Sequence, residues 1–224
     1  MKGNRLKNLM KQFILDRLHL LKIEELKLSK EAVKEFETFY NELVLTAKGN
    51  FIPYDSPFPL YQFLLYLNEK KEIVIHGSNN SMIDTFEPKD STLFNGKPIK
   101  AVFASSDGVW SLFFAVKNRR EYKGSLRNLC LTVPTKKGIK RYYYFSVSHE
   151  KIEEVWTDGT IYILPKEPFK RGGIANEWVC EQKVKPLAKL SVVPTDFPFI
   201  NQVSTHEETD SVIKTLLRAF FIKK

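Results

Sequence analysis

The 224-residue chain reads as an α+β protein, helical up to about residue 70 and mostly β after it. Three observations lead there. Apolar residues recur at helical spacing through the first 70 positions, whereas after Lys70 they gather in short β-rich runs bounded by Gly and Pro. The order of these runs does not alternate as strand–helix–strand, which disfavours a doubly wound parallel sheet. The expected organisation is a helical N-terminal region, 1–70, followed by an α+β domain, 71–224.

Leu6, Leu9, Met10, Phe13, Ile14, Leu18 and Leu21 keep helical spacing with basic residues between them, so a basic amphipathic helix is expected over 5–21. Such a helix suits packing on its neighbours, a partner or a membrane surface. Ser29 is a natural N-cap for a second helix carrying Val33, Phe36, Phe39, Tyr40 and Leu43 on one face, closed by Gly49. Pro53, Pro57 and Pro59 break the chain, and Ser56 is placed to cap a third helix through Tyr61, Leu64, Leu65 and Leu67. Strands are expected over 72–76, 99–103, 126–133, 141–147, 160–164, 178–180 and 187–193. A hairpin through Pro134-Thr135-Lys136-Lys137-Gly138 joins two of them, and Asp158-Gly159 turns the chain into another. Helices are expected over 106–116 and 210–221.

Hydrophobic residues make up 43% and charged residues 27%, the balance of an ordinary globular domain. No apolar run approaches the ~18–20 residues of a membrane span. No export signal is evident, so a cytoplasmic protein with two buried thiols, Cys130 and Cys180, is the expectation. The net charge of +9 is concentrated. Lys117, Arg119, Arg120, Lys123, Arg127, Lys136, Lys137, Lys140 and Arg141 face a single acid, Glu121. The block reads either as a patch for nucleic acid or a phosphate-rich ligand, or as a solvated loop and hairpin tip.

The chain contains no phosphate-cradling Gly-rich loop and no Gly-x-Ser-x-Gly elbow. His19, His76, His149 and His206 lack zinc-ligand spacing, and no metal is expected. His19 falls on a helix, His149 before an expected helix and His206 in a polar loop. His76 differs, because the apolar run Ile73-Val74-Ile75 delivers His76-Gly77-Ser78 to a strand end. There Gly permits close backbone approach and His offers a hydrogen-bonding ring. Val102-Phe103-Ala104 runs from a strand into the Trp110/Phe113/Phe114 helix. Asn176-Glu177-Trp178 sets a carboxylate at a strand start beside apolar neighbours, either solvated or held inside for a purpose.

Taken in this order, His76-Gly77-Ser78, Phe103-Ala104 and Asn176-Glu177-Trp178 resemble the ADP-ribosyltransferase superfamily, most closely the catalytic domain of poly(ADP-ribose) polymerases. The likeness spans residues 73–193 and implies a mixed, mostly antiparallel split β-sheet, with NAD as the substrate. By that resemblance Gly77 holds the nicotinamide carboxamide through its backbone, with Ser78 beside it, and His76 bonds the adenosine-side ribose. Phe103 belongs to the second motif and Phe113 stacks on the nicotinamide. Glu177 is the catalytic carboxylate that stabilises the oxocarbenium-like centre. Val102 departs from the pattern, standing where the family has a Tyr over the nicotinamide ribose. The expected function is transfer of ADP-ribose to an acceptor. The alternative is an inactive NAD-, ADP-ribose- or RNA-binding module on the same fold, including the RNA 2′-phosphotransferase branch that depends on basic residues.

Overall fold

The computed structural model describes residues 2–93, 95–148 and 154–221. In chain order its elements are α1 (Lys2–Leu15), β1 (Leu21–Ile23), α2 (Lys30–Thr38), α3 (Leu60–Lys70), β2 (Ile73–Ser78), β3 (Lys89–Thr92), β4 (Pro98–Ser105), α4 (Gly108–Val116), β5 (Leu126–Pro134), β6 (Ile139–Ser148), β7 (Gly159–Pro165), β8 (Lys170–Arg171), β9 (Glu177–Cys180), β10 (Ala188–Val192), β11 (Ser204–His206) and α5 (Val212–Phe221). The fold is α+β, and among the described residues every strand pair is antiparallel except β6 with β11. Among the described residues no helix is long and apolar enough to cross a membrane.

The chain divides into two compact units. Met1–Lys27, Arg120–Val155 and Phe199–Lys224 form one; Leu28–Arg119 and Trp156–Pro198 form the other. These two units follow a different division from the composition change near residue 70. The helices α2 and α3 belong with β2 and α4, whereas α1 packs against β5. Segments distant in sequence build each unit, so the change from helical to β-rich composition does not mark the division.

In the first unit β6 is the hub. β5 pairs along it from Leu126↔Val147 to Pro134↔Ile139, through the expected hairpin. β1 and β11 share its other edge, at Arg141–Tyr143 and Ser146–Ser148. The expected first helix thus stops at Leu15, because Leu21 and Ile23 pair with Tyr143 and Arg141 rather than extending the helix. His206 is also not a loop residue: it is buried on β11, with its ring nitrogens 2.8 Å from Ser125 Oγ and 2.7 Å from Ser146 Oγ. His149 lies outside the described residues.

The second unit holds an antiparallel sheet in the order β10-β7-β2-β4-β9-β8, with β3 on the first half of β4. Ser29 caps α2, its Oγ accepting from Ala32 N–H at 3.1 Å, and the helix runs on into a π-helical turn, Phe39–Val44. Ser56 does not cap α3. It accepts from Phe58 N–H at 3.2 Å in the preceding turn, and Pro59 stands at the cap. Phe36 packs against Phe58, Phe63 and Tyr66 beneath these helices. Cys130, in the first unit, and Cys180, in the second, are buried free thiols.

α4 lies very close to the sheet. A Cβ on Gly77 would overlap the Ser111 carbonyl, and one on Gly159 the Ala115 carbonyl. The two glycines let the helix backbone settle directly on β2 and on the start of β7. A methyl group at either position must push the helix away, as overpacking does elsewhere. Gly159→Ala is expected to lower unfolding free energy by about 1–3 kcal/mol, read as a reduced denaturant midpoint at unchanged slope.

Candidate functional site

The site arises where β2 and β4 part. These strands are joined at one pair, Ile75↔Ser105. On the other side of β2, pairing with β7 continues from Ile73↔Pro165 to Ser78↔Thr160. Leu187 N–H donates to Ile163 O, so Ile163 turns its backbone toward β10, and Ile75, opposite it, turns its own toward β4. By the strand alternation Gly77 does the same two residues on, where the β4 ladder has already ended.

Two cavities open at this divergence. The smaller, about 240 Å³, is walled by His76 and Gly77 from β2, Phe103 and Ser105 from β4, Trp110 and Phe114 from α4, and Glu177 from β9. The larger, about 590 Å³, includes Ser78, Asn80, Phe86, Lys89 and Val102. His76, Phe103 and Arg119 line both. Three of the quoted sequence segments therefore meet around one cavity. Ser78 borders only the larger one, and its Oγ accepts from Asn80 N–H at 3.1 Å.

The ring of His76 spans the gap. Its Nδ1 lies 2.7 Å from Phe103 O, which a carbonyl permits only if Nδ1 carries the proton. Phe86 packs edge-on to the ring at 4.8 Å. Desolvation pushes the His76 pKa down to about 4 against the opposing pull of the Phe103 carbonyl, and the charges of Arg119 and Lys89 add to the lowering. At neutral pH the imidazole is uncharged, leaving Nε2 as a hydrogen-bond acceptor suited to a hydroxyl group.

Glu177 opens β9 opposite Ser105. Its Oε1 accepts from Gly173 N–H at 2.6 Å, and Gly172 N–H donates to its backbone carbonyl at 2.8 Å. A tight loop between β8 and β9 thus holds the carboxylate at the cavity edge. α4 is fixed at both ends. Asp107 caps it, accepting from Trp110 N–H at 2.9 Å, while Asn79 donates to Ala115 O at 2.6 Å and accepts from Arg119 N–H at 2.9 Å. The residue just after the His-Gly-Ser motif therefore positions Arg119. Burial lowers the Arg119 pKa, and its guanidinium carbon lies 5.8 Å from the Phe114 ring centroid.

Phe113 does not line either cavity. It is fully buried, packed against Phe197 at 5.7 Å and Trp156 at 6.1 Å. The aromatic wall is instead Trp110 and Phe114, one helical turn apart with ring centroids at 5.8 Å. Val102 is buried in the core with Val74, Phe86, Tyr162 and Leu164. The basic block divides between the units, Lys117 and Arg119 in the second and the rest in the first. Lys140 is buried on Asp16 and Glu24, at 2.7 and 2.9 Å, Arg141 is buried, and Arg127 bonds Thr215 and the Asp210 carbonyl. Part of the block therefore serves the fold. No group of His, Cys, Asp and Glu suited to a metal ion occurs among the described residues. No family model, no curated protein and no solved structure matches the chain.

Two expectations follow from this geometry. Between pH 6.5 and about 4 the unfolded chain binds a proton at His76 that the folded chain excludes, so this group's contribution to stability is lost as pH falls through that window. Denaturation from pH 7 to 4 should show the loss, and His76→Gln should flatten it. Phe113→Ala is expected to cost about 3–5 kcal/mol of stability, and Phe114→Ala far less, by chemical unfolding.

Proposed function

We propose that the chain is an NAD-dependent ADP-ribosyltransferase whose site is the pair of cavities where β2 and β4 part. One observation carries the reading: His76, Gly77, Phe103 and Glu177, singled out from three separate sequence segments, line a single cavity of about 240 Å³. The antiparallel sheet parting beside the His-Gly-Ser strand supports an ADP-ribosyltransferase type of fold.

NAD suits the two cavities as a dinucleotide lying across their shared wall. Nicotinamide and its ribose occupy the smaller cavity, with Trp110 and Phe114 offering ring faces and edges for stacking. Gly77 turns backbone donor and acceptor groups toward the carboxamide. Arg119, common to both cavities, meets the pyrophosphate, and adenosine fills the larger one. The neutral His76 accepts from a ribose hydroxyl through Nε2.

As the bond from ribose C1′ to the nicotinamide nitrogen breaks, the electron pair leaves with nicotinamide and positive charge grows on the ribose. The Glu177 carboxylate stabilises that charge and holds a ribose hydroxyl. An acceptor nucleophile then bonds to C1′ and releases its proton.

The experiment is nicotinamide release from NAD by the wild type and by Glu177→Gln, with NAD binding measured by calorimetry on both. Glu177→Gln should lower release by about 10²–10³-fold while leaving affinity within a few-fold. Equal release by the two proteins would remove the mechanism. A second reading, a non-catalytic NAD- or ADP-ribose-binding module, is motivated by the Gly173 N–H bond that already occupies one oxygen of Glu177. Saturable NAD binding without nicotinamide release by the wild type, even to water, would favour it.

A further inference from the structure

We propose that α1 is an interfacial helix that docks the first unit on an anionic lipid surface. The inference does not rest on the transferase reading.

The helix is amphipathic but faces the wrong way for a helix that completes a core. Leu6, Leu9, Met10, Phe13 and Ile14, spaced i, i+3, i+4, i+7 and i+8, form one stripe, and each is between 52% and 71% exposed. The opposite side meets the protein, with Leu15 at its end buried among Val133, Tyr142 and Tyr144. Asn8 donates to Pro134 O at 3.2 Å and Lys11 to Thr132 O at 3.0 Å, both at the β5 end of the hairpin. A row of large apolar side chains turned to water over several turns is the type of patch that marks an interaction surface. At the C-terminal end of the chain α5 adds to the same unit's exposed apolar surface through Ile213, Leu217 and Phe221.

Charge selects the occupant. α1 contains Lys2, Arg5, Lys7 and Lys11 and no acidic residue. At 100° per residue Arg5 and Lys7 fall on opposite flanks of the apolar stripe, both exposed. Arg17 lies over the Phe13 ring, 3.2 Å from its centroid, which keeps a further cation beside the stripe. Apolar side chains flanked on both sides by cations are the pattern of a helix lying in the plane of a membrane interface, with acyl chains beneath it and anionic headgroups along its edges. A second copy fits less well, since two such helices face to face would oppose cation to cation with no acid between them.

The test is co-sedimentation of the full chain with vesicles of phosphatidylcholine alone and of phosphatidylcholine with phosphatidylserine. Binding to the anionic vesicles, falling steeply with salt, is expected. The double variants Leu9→Asp/Phe13→Asp and Arg5→Glu/Lys7→Glu should each reduce it by about tenfold or more. These side chains are exposed, so the denaturation midpoint should match the wild type, and the charge pair provides a variant that alters no apolar packing. Failure to bind anionic vesicles overturns the proposal, as does equal, salt-insensitive binding to both compositions. Self-association in sedimentation velocity that Leu9→Asp/Phe13→Asp abolishes, without vesicle binding, would assign the face to a second copy. A monomer that ignores vesicles would leave the face to an acidic protein.

Discussion

The close seat of α4 on the sheet determines most of what the second unit can do. A helix normally stands off a sheet by the length of the side chains between them. At Gly77 and Gly159 no side chain intervenes, and the helix carbonyls of Ser111 and Ala115 take up that space. Ser111 Oγ then reaches Ile75 O at 3.2 Å. With the helix that low, Trp110 and Phe114 stand over the divergence of β2 and β4 and wall the cavity there. The glycine of the His-Gly-Ser motif is thus needed for packing, whatever its backbone also binds. A sequence signal that invites a ligand reading has a steric cause that is satisfied before any ligand arrives.

The charges are arranged in keeping with this. His76 is held neutral by desolvation, so it orients without adding positive charge beside Arg119. Arg119 comes off the end of α4 with its backbone N–H fixed by Asn79. Glu177 comes from a different edge of the unit, on a loop tied by Gly172 and Gly173. One acidic and one basic side chain therefore approach the cavities from separate elements, with a neutral ring between them.

Much of this was legible from local chemistry. The hairpin at Pro134–Gly138, the Ser29 cap and the strand carrying His76 follow from turn, cap and period rules that act over a few residues. The losses came where local rules are silent. β1 and β11 are three-residue strands that exist because β6 has edge positions to fill, not because of their own propensity. α4 is apolar almost all round, so its periodicity cannot tell Phe113 from Phe114, and only the sheet beneath it decides which ring faces the cavity. Arg119 was visible only as one charge in a basic block, since its distinction lies in following a helix whose end is set by a distant Asn. The division into two units, each assembled from separate segments, leaves no trace in composition.

The order of the site along the chain is less accidental than it looks. Ser105 pairs with Ile75 on one side and with Glu177 on the other, so all three lie in one row across three strands. With neighbouring strands ~4.8 Å apart, that row sets Glu177 two strand spacings from β2 before any side-chain detail enters. A slip of one residue between β4 and β9 would turn the Glu177 side chain to the opposite face of the sheet. The Gly172–Gly173 loop and the Asn176 carbonyl, which accepts from Ser106 N–H at 3.1 Å, both oppose that slip at the end of the ladder where it would matter. The separation of the carboxylate from the His-Gly motif is therefore a property of strand register. Substitutions that loosen the β4–β9 register would displace Glu177 from the cavity even with every residue lining the cavity intact.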